Sequence, residues 1–182
     1  MHSLVRTAGL ALVVALYALP SVAAHTLSPA HRAVLGSWLH GHPNLRLASI
    51  HDCSCEEDIA RMWRGSDEVW KPVPDYHPYR AVGDFNGDGN IDFAAVLIDK
   101  TKTEKAFVLV IFNGPFAAAT KPPAFVEADL DLSHEGLFFG PPRPKPYRLL
   151  VGEFESDNSN LLEPKGDSYR WSEEEELPYF EA

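Results

Sequence analysis

Apolar positions along this chain fall into three textures: an unbroken N-terminal run, helical spacing up to Gly65, and short strand-like runs beyond it. In the helical part, Ser28 suits a cap and Pro29 the first helical position. Ala30, Val34 and Trp38 follow four apart, with Leu35 and Leu39 beside them, so one face is apolar. Gly41 and Pro43 stop this helix. A second helix is predicted from a capping box, Ser54 with Glu57 three residues on. Glu56, Glu57 and Asp58 occupy its first turn and Arg61 and Arg64 its last, as the helix dipole favours. Ile59, Met62 and Trp63 form its buried stripe, and Gly65 ends it. Between the helices, Leu45, Leu47 and Ser49 alternate weakly with polar residues, enough for a short strand at most.

From Val69 onward the texture is β. Tyr79–Phe85, Asp92–Ile98 and Lys105–Phe112 read as strands, and Thr101–Glu104 as a polar turn. Tyr147–Glu155 is a further strand, and Ser168–Glu173 pairs with Asn160–Glu163 across Pro164-Lys165-Gly166-Asp167. The proline-rich stretch Gly140–Pro146 is unfit for a central strand, and the acidic run Glu173–Glu176 reads as a solvated edge. Helices first and strands afterwards predict an α+β class: N-terminal helices packed on an antiparallel β-sheet, in a single domain over residues 25–182. No internal repeat is visible.

The N-terminal run assigns the compartment. Met1 to Arg6 is short and weakly basic, Thr7 to Leu19 is apolar apart from Gly9, and Val22-Ala23-Ala24 offers small residues where a signal peptidase cuts. The run is too short for a comfortable bilayer span, and no cysteine near the cut suggests a lipid anchor. Residues 1–24 are therefore read as a signal peptide, and the rest as secreted or periplasmic. The formal net charge is -10, and Arg6 is the only charged residue of the leader, so the mature chain is more acidic still. A surface of that sign argues against nucleic acid and anionic lipid as partners.

Chemistry concentrates in Asp84-Phe85-Asn86-Gly87-Asp88-Gly89-Asn90-Ile91-Asp92. Side-chain oxygens alternate at Asp84, Asn86, Asp88 and Asp92, Asn90 offers its backbone carbonyl, and Gly89 permits the sharp turn that aims them inward. Ca²⁺ is a hard ion that takes six to eight oxygens at flexible angles. Three carboxylates so close also repel one another without a cation. The same Asn-Gly and Asp-Gly dipeptides are strong hairpin-turn formers without any metal. An EF-hand is disfavoured, because its bidentate Glu would fall on Ala95 and the flanks read as strands.

Residues Tyr79–Phe116, with GDFNGDGNIDFAAVLI followed by KAFVLVIFNGPF, resemble one FG-GAP/VCBS-type repeat. The resemblance implies strand, calcium loop and strand, with Ca²⁺ held by the side chains of Asp84, Asn86, Asp88 and Asp92 and the Asn90 carbonyl. It covers about a fifth of the chain. A propeller needs at least four blades and one is visible, so propeller architecture is not carried over. The family's adhesion or ligand-recognition roles give a functional hint.

Cys53 and Cys55, the only cysteines, are candidates for a local disulfide in an exported chain. In extended backbone their Cα atoms would stand about 6.6 Å apart, at the edge of what a disulfide spans. The alternatives are a redox pair or a soft-metal site with His51. Cleavage after Ala24 would expose His25, whose amine and imidazole could join a second histidine around copper. His31, His40, His42, His77 and His134 show no metal-ligand spacing, His40 and His42 read as helix-finishing residues, and His134-Glu135 reads as surface loop. No nucleophile elbow, His-Glu-x-x-His or phosphate-binding glycine loop is present, and no catalytic residue is assigned. These residues describe an exported Ca²⁺-binding module that recognises a protein or glycan partner. The alternatives are a periplasmic inhibitor or immunity-type protein and, behind it, a copper enzyme at His25.

Overall fold

The architecture comes from a computed structural model that describes residues 25–65, 72–118, 120–140, 147–154 and 159–173. The leader read at residues 1–24, the prolines of 141–146 and most of the acidic run after Glu173 lie outside the described residues.

Helix α1 (Pro29–His40) starts where its cap predicts: the Ser28 hydroxyl accepts the His31 N–H at 3.2 Å, and His31 Nδ1 accepts the Ser28 N–H at 3.3 Å. Helix α2 (Glu56–Arg64) corrects the predicted capping box. Its N-cap is Cys55, which makes no side-chain cap bond, whereas Ser54 donates its backbone N–H to the Ser133 carbonyl at 2.7 Å. Trp63, read as buried, is 40% exposed and donates its indole N–H to the Tyr76 carbonyl at 2.9 Å.

Nine strands follow or flank the helices: β1 (Leu45–Leu47), β2 (Arg80–Gly83), β3 (Asp92–Asp99), β4 (Phe107–Phe112), β5 (Phe125–Leu130), β6 (Glu135–Phe138), β7 (Leu149–Glu153), β8 (Ser159–Lys165) and β9 (Ser168–Glu173). They make two antiparallel sheets where the sequence led us to expect one. In the first, the order is β1-β3-β4-β5. β2 pairs with the start of β3 (Gly83↔Asp92, Arg80↔Ala95) and β1 with its end (Leu47↔Leu97, Leu45↔Asp99), so the two lie in tandem along one edge. The second sheet runs β6-β7-β8-β9. Pro164, inside β8, lies past the end of the β7 pairing, where no N–H is needed for the ladder.

The first sheet is buried on both faces, which explains the unbroken apolar runs of β3 and β4. On one face Val82, Phe93, Ala95, Leu97, Val108, Val110 and Phe112 pack against Leu27, Val34 and Leu35 of the α1 region. On the other, Ala94, Val96, Leu109 and Ile111 meet Leu137, Leu149, Val151 and Leu162 of the second sheet together with Ile59 of α2. Each fully buried aliphatic or aromatic side chain stabilises by about 1.5–3 kcal/mol, so this double-faced sheet dominates the cohesion. β5 is an edge strand with alternating exposure, and Phe125 ties it to the second sheet through edge-on contacts with Tyr169 and Trp171.

Candidate metal centre

The acidic loop is the connection between two paired neighbours, β2 ending at Gly83 and β3 starting at Asp92. Gly87 and Gly89 take φ of 76° and 86°, a left-handed conformation in which a side chain would be strained. Around them the polar side chains hold the loop's own backbone. Asp84 Oδ1 accepts the Gly87 N–H at 2.8 Å and Oδ2 the Gly89 N–H at 2.9 Å. Asn86 Oδ1 accepts the Asp88 N–H at 3.0 Å, and Asp88 Oδ1 the Asn90 N–H at 2.7 Å. Asn86 Nδ2 also donates to Asp88 Oδ2 at 3.3 Å. The Asn90 N–H, followed by the Asn90 and Asn86 side-chain amides, holds the exposed Asp88 carboxyl below the usual aspartate range.

Asp92 stands apart from these four residues. It is wholly buried; its Oδ2 accepts the Phe85 N–H at 2.9 Å and its Oδ1 the Gly114 N–H at 2.8 Å. The Tyr169 hydroxyl lies 3.5 Å from Oδ2 and donates more closely, at 2.7 Å, to Asn113 Oδ1. Burial pushes the Asp92 carboxyl up, against the pull of the Gly114 and Phe85 N–H groups. Burial, and then the Asp92 charge, raises the Tyr169 phenol far enough that it stays protonated and acts as a donor. Asp92 thus joins the loop to the 113–114 turn and, through Tyr169, to the second sheet. The sequence reading took Asp92 for an equal member of the ligand set and missed Asn113, Gly114 and Tyr169. Asn113-Gly114 stood in the quoted motif, but nothing local tied it to the loop.

Donor chemistry in the loop is compatible with a hard cation. A carboxylate carries about four lone-pair sites, so one N–H bond per oxygen leaves Asp84 and Asp88 capacity to ligate. The carboxylates are spread around the turn, and among the described residues no three His, Cys, Asp or Glu side chains gather as a metal site.

Cys53 and Cys55 are joined as a disulfide with Cα atoms 5.1 Å apart, and both are buried. Neither is a free thiol, so while the bond is intact neither can ligate a soft metal with His51. His25 is buried against Tyr76, with Nδ1 2.8 Å from the Arg80 carbonyl. A carbonyl only accepts, so Nδ1 carries the proton. That nitrogen is the one with which a terminal histidine chelates together with its own amine. His31 caps α1, and His42, stacked on Trp38, bonds through Nδ1 to the Trp38 carbonyl at 2.8 Å. Glu135 is in strand β6, not in a surface loop, and faces Glu153 of β7. Burial first, then the Glu153 and Asp131 charges, push its carboxyl up.

No helix among the described residues is long and apolar enough to cross a membrane. Comparison with known protein families, curated proteins and solved structures finds no match for this chain.

Proposed function

We propose that this chain is an exported Ca²⁺-binding interaction module, in which one Ca²⁺ binds the 84–92 loop and stiffens the hairpin between β2 and β3. The observation that carries the reading is the loop itself. Asp84, Asn86 and Asp88 place side-chain oxygens at alternate positions around two glycines in left-handed conformation. A plain turn is satisfied by one or two such side chains; three invite a cation that they ligate and that screens the Asp84 and Asp88 carboxylates from each other. The ion would draw on Asp84, Asn86 and Asp88, the Asn90 carbonyl and water, with Asp92 anchoring the loop from inside. Its role is structural, since Ca²⁺ in an all-oxygen loop supplies charge neutralisation and rigidity. The resemblance to an FG-GAP/VCBS-type repeat supports the same assignment. The leader-like N-terminus supports export, and a net charge of -10 suits a soluble module that meets a protein or glycan outside the cytoplasm.

Calorimetric titration of the metal-stripped protein with Ca²⁺, with Mg²⁺ as control, tests the metal. One saturable site that rejects Mg²⁺ is expected. Absence of both heat and thermal stabilisation would reduce the loop to an ordinary turn.

A further inference from the structure

A second feature lies between α1 and the sheet edge, and it shares no lining residue with the 84–92 loop. Between α1 and the edge formed by β1 and β2 is an open cleft of about 250 Å³, walled by Leu27, Leu35, Leu39 and Leu47, with Arg32 and Arg80 on its lining. Two cations share the lining of this apolar cleft, one of them the exposed Arg32, although the chain as a whole is acidic. Arg46, Arg61, Arg148 and Arg170 each meet a carboxylate within 4 Å. Among the described residues Arg32 and Arg80 have none, and neither does the exposed Arg64 of α2. The hydrogen bond of Arg32 goes to the Leu27 carbonyl, a neutral acceptor. Arg80 Nε is buried with no hydrogen-bond partner in the described structure. Asp75 accepts the His25 backbone N–H at 3.4 Å and makes no ion pair with Arg80.

This arrangement carries an energetic cost. A buried donor without an acceptor costs about 1–3 kcal/mol, and the neighbouring guanidinium adds repulsion. Burial, followed by the Arg32 charge, lowers the pKa of Arg80, though its guanidinium stays charged. A carboxylate in the cleft would offset the repulsion between the two guanidiniums, because its two oxygens accept from planar guanidinium forks. The leucine walls leave room for little besides aliphatic or aromatic carbon, and the volume is below the roughly 300–1,000 Å³ of drug-sized sites.

We propose that this cleft binds a short apolar carboxylic acid, its carboxylate held between Arg32 and Arg80 and its hydrocarbon tail laid along Leu27, Leu35, Leu39 and Leu47. The placement of charge at one end of an apolar wall selects an amphiphilic anion over a neutral lipid or a bare inorganic anion.

Octanoate is the probe, titrated calorimetrically and by thermal shift against the full chain, with 1-octanol, octylamine and acetate as controls. One saturable site for octanoate is expected, with octanol, octylamine and acetate each at least roughly tenfold weaker. Arg80→Gln and Arg32→Gln should each weaken octanoate by about tenfold or more, while Arg46→Gln, whose side chain pairs with Asp52 elsewhere, leaves it unchanged. Octanol binding as well as octanoate would leave only an apolar groove. Acetate binding as well would leave only an anion site. Either outcome overturns the proposal, as does undiminished octanoate binding in Arg32→Gln or no saturable binding to the wild type. Should Arg80→Gln fail to fold, the exposed Arg32 decides the matter alone.

Discussion

Asp88 and Asp92 belong to the same loop, yet solvent bathes the first and is shut out from the second. On the outer arc, Asp84, Asn86 and Asp88 bond to N–H groups within five residues of themselves. At the inner foot, Asp92 reaches Gly114 and approaches Tyr169 in the second sheet. One arm is local and replaceable by water; the other is long-range and has no substitute. The same side chain is a turn-former and prospective ligand at one end, and a strut between segments at the other.

The largest effect that would sharpen this contrast is expected from Asp92→Ala. Two buried N–H groups, of Phe85 and Gly114, lose their acceptor. The loss should reach about 3–5 kcal/mol in urea unfolding. A loss within 1 kcal/mol of zero, on the order of a surface substitution, would remove Asp92 from the role of strut. Next comes Gly114→Ala, whose Cβ would fall 2.6 Å from the Ile91 carbonyl oxygen and 2.9 Å from the Asn90 Cβ. The Ile91 backbone and the Asn90 Cβ, which is fixed to its own backbone, have little room to retreat, so overpacking of about 1–3 kcal/mol is expected. A melting temperature equal to wild type would show that the two turns are not in rigid contact.

The outer arc should respond to metal instead. At free Ca²⁺ one hundred times its dissociation constant, binding to the native state alone stabilises by about 2.7 kcal/mol. Asp88→Ala should lose most of that gain, yet differ from wild type by no more than about 0.5 kcal/mol in EDTA. Equal melting of both proteins in both buffers would break the contrast by leaving the outer arc without a metal.

Acid titration gives the smallest and most selective effect. The Asp92 carboxyl is raised, so its contribution is fully present below the unfolded pKa and is lost as pH rises through the folded value. Asp88 is depressed, so its contribution is present above the unfolded pKa and is lost as pH falls through the folded value. Carboxyl-carbon NMR of the metal-free protein should therefore show Asp92 titrating above, and Asp88 below, an unstructured aspartate. Coincident titrations would mean that the two ends of the loop share one environment.

Much of the double-faced sheet was legible in the sequence because its signals are strong and local. β3 and β4 are nearly uninterrupted apolar runs, and α1 has its cap, its four-residue spacing and its stop. The strands β5 and β6 escaped notice. Glu127, Asp129, Glu135 and Gly136 dilute their apolar character, since β5 lies at an edge and β6 is only four residues long. Without them the second sheet could not be separated from the first. The α2 cap is Cys55, with the Ser54 N–H turned to the Ser133 carbonyl, and Trp63 finds its partner in a carbonyl rather than in the core.

By itself, the sequence determined what depends on neighbours a few residues away. That includes the helical spacing of α1, the glycines that turn the 84–92 loop, the alternation of its oxygens and the shortness of the bridge between the cysteines. Tertiary structure alone decided which aspartate is buried, that Tyr169 and Gly114 close over it, and that Arg32 and Arg80 line one leucine-walled cleft. Turn geometry is set by sterics and hydrogen bonds within a few bonds of the backbone. Desolvation and charge proximity exist only once distant segments have excluded water from between them.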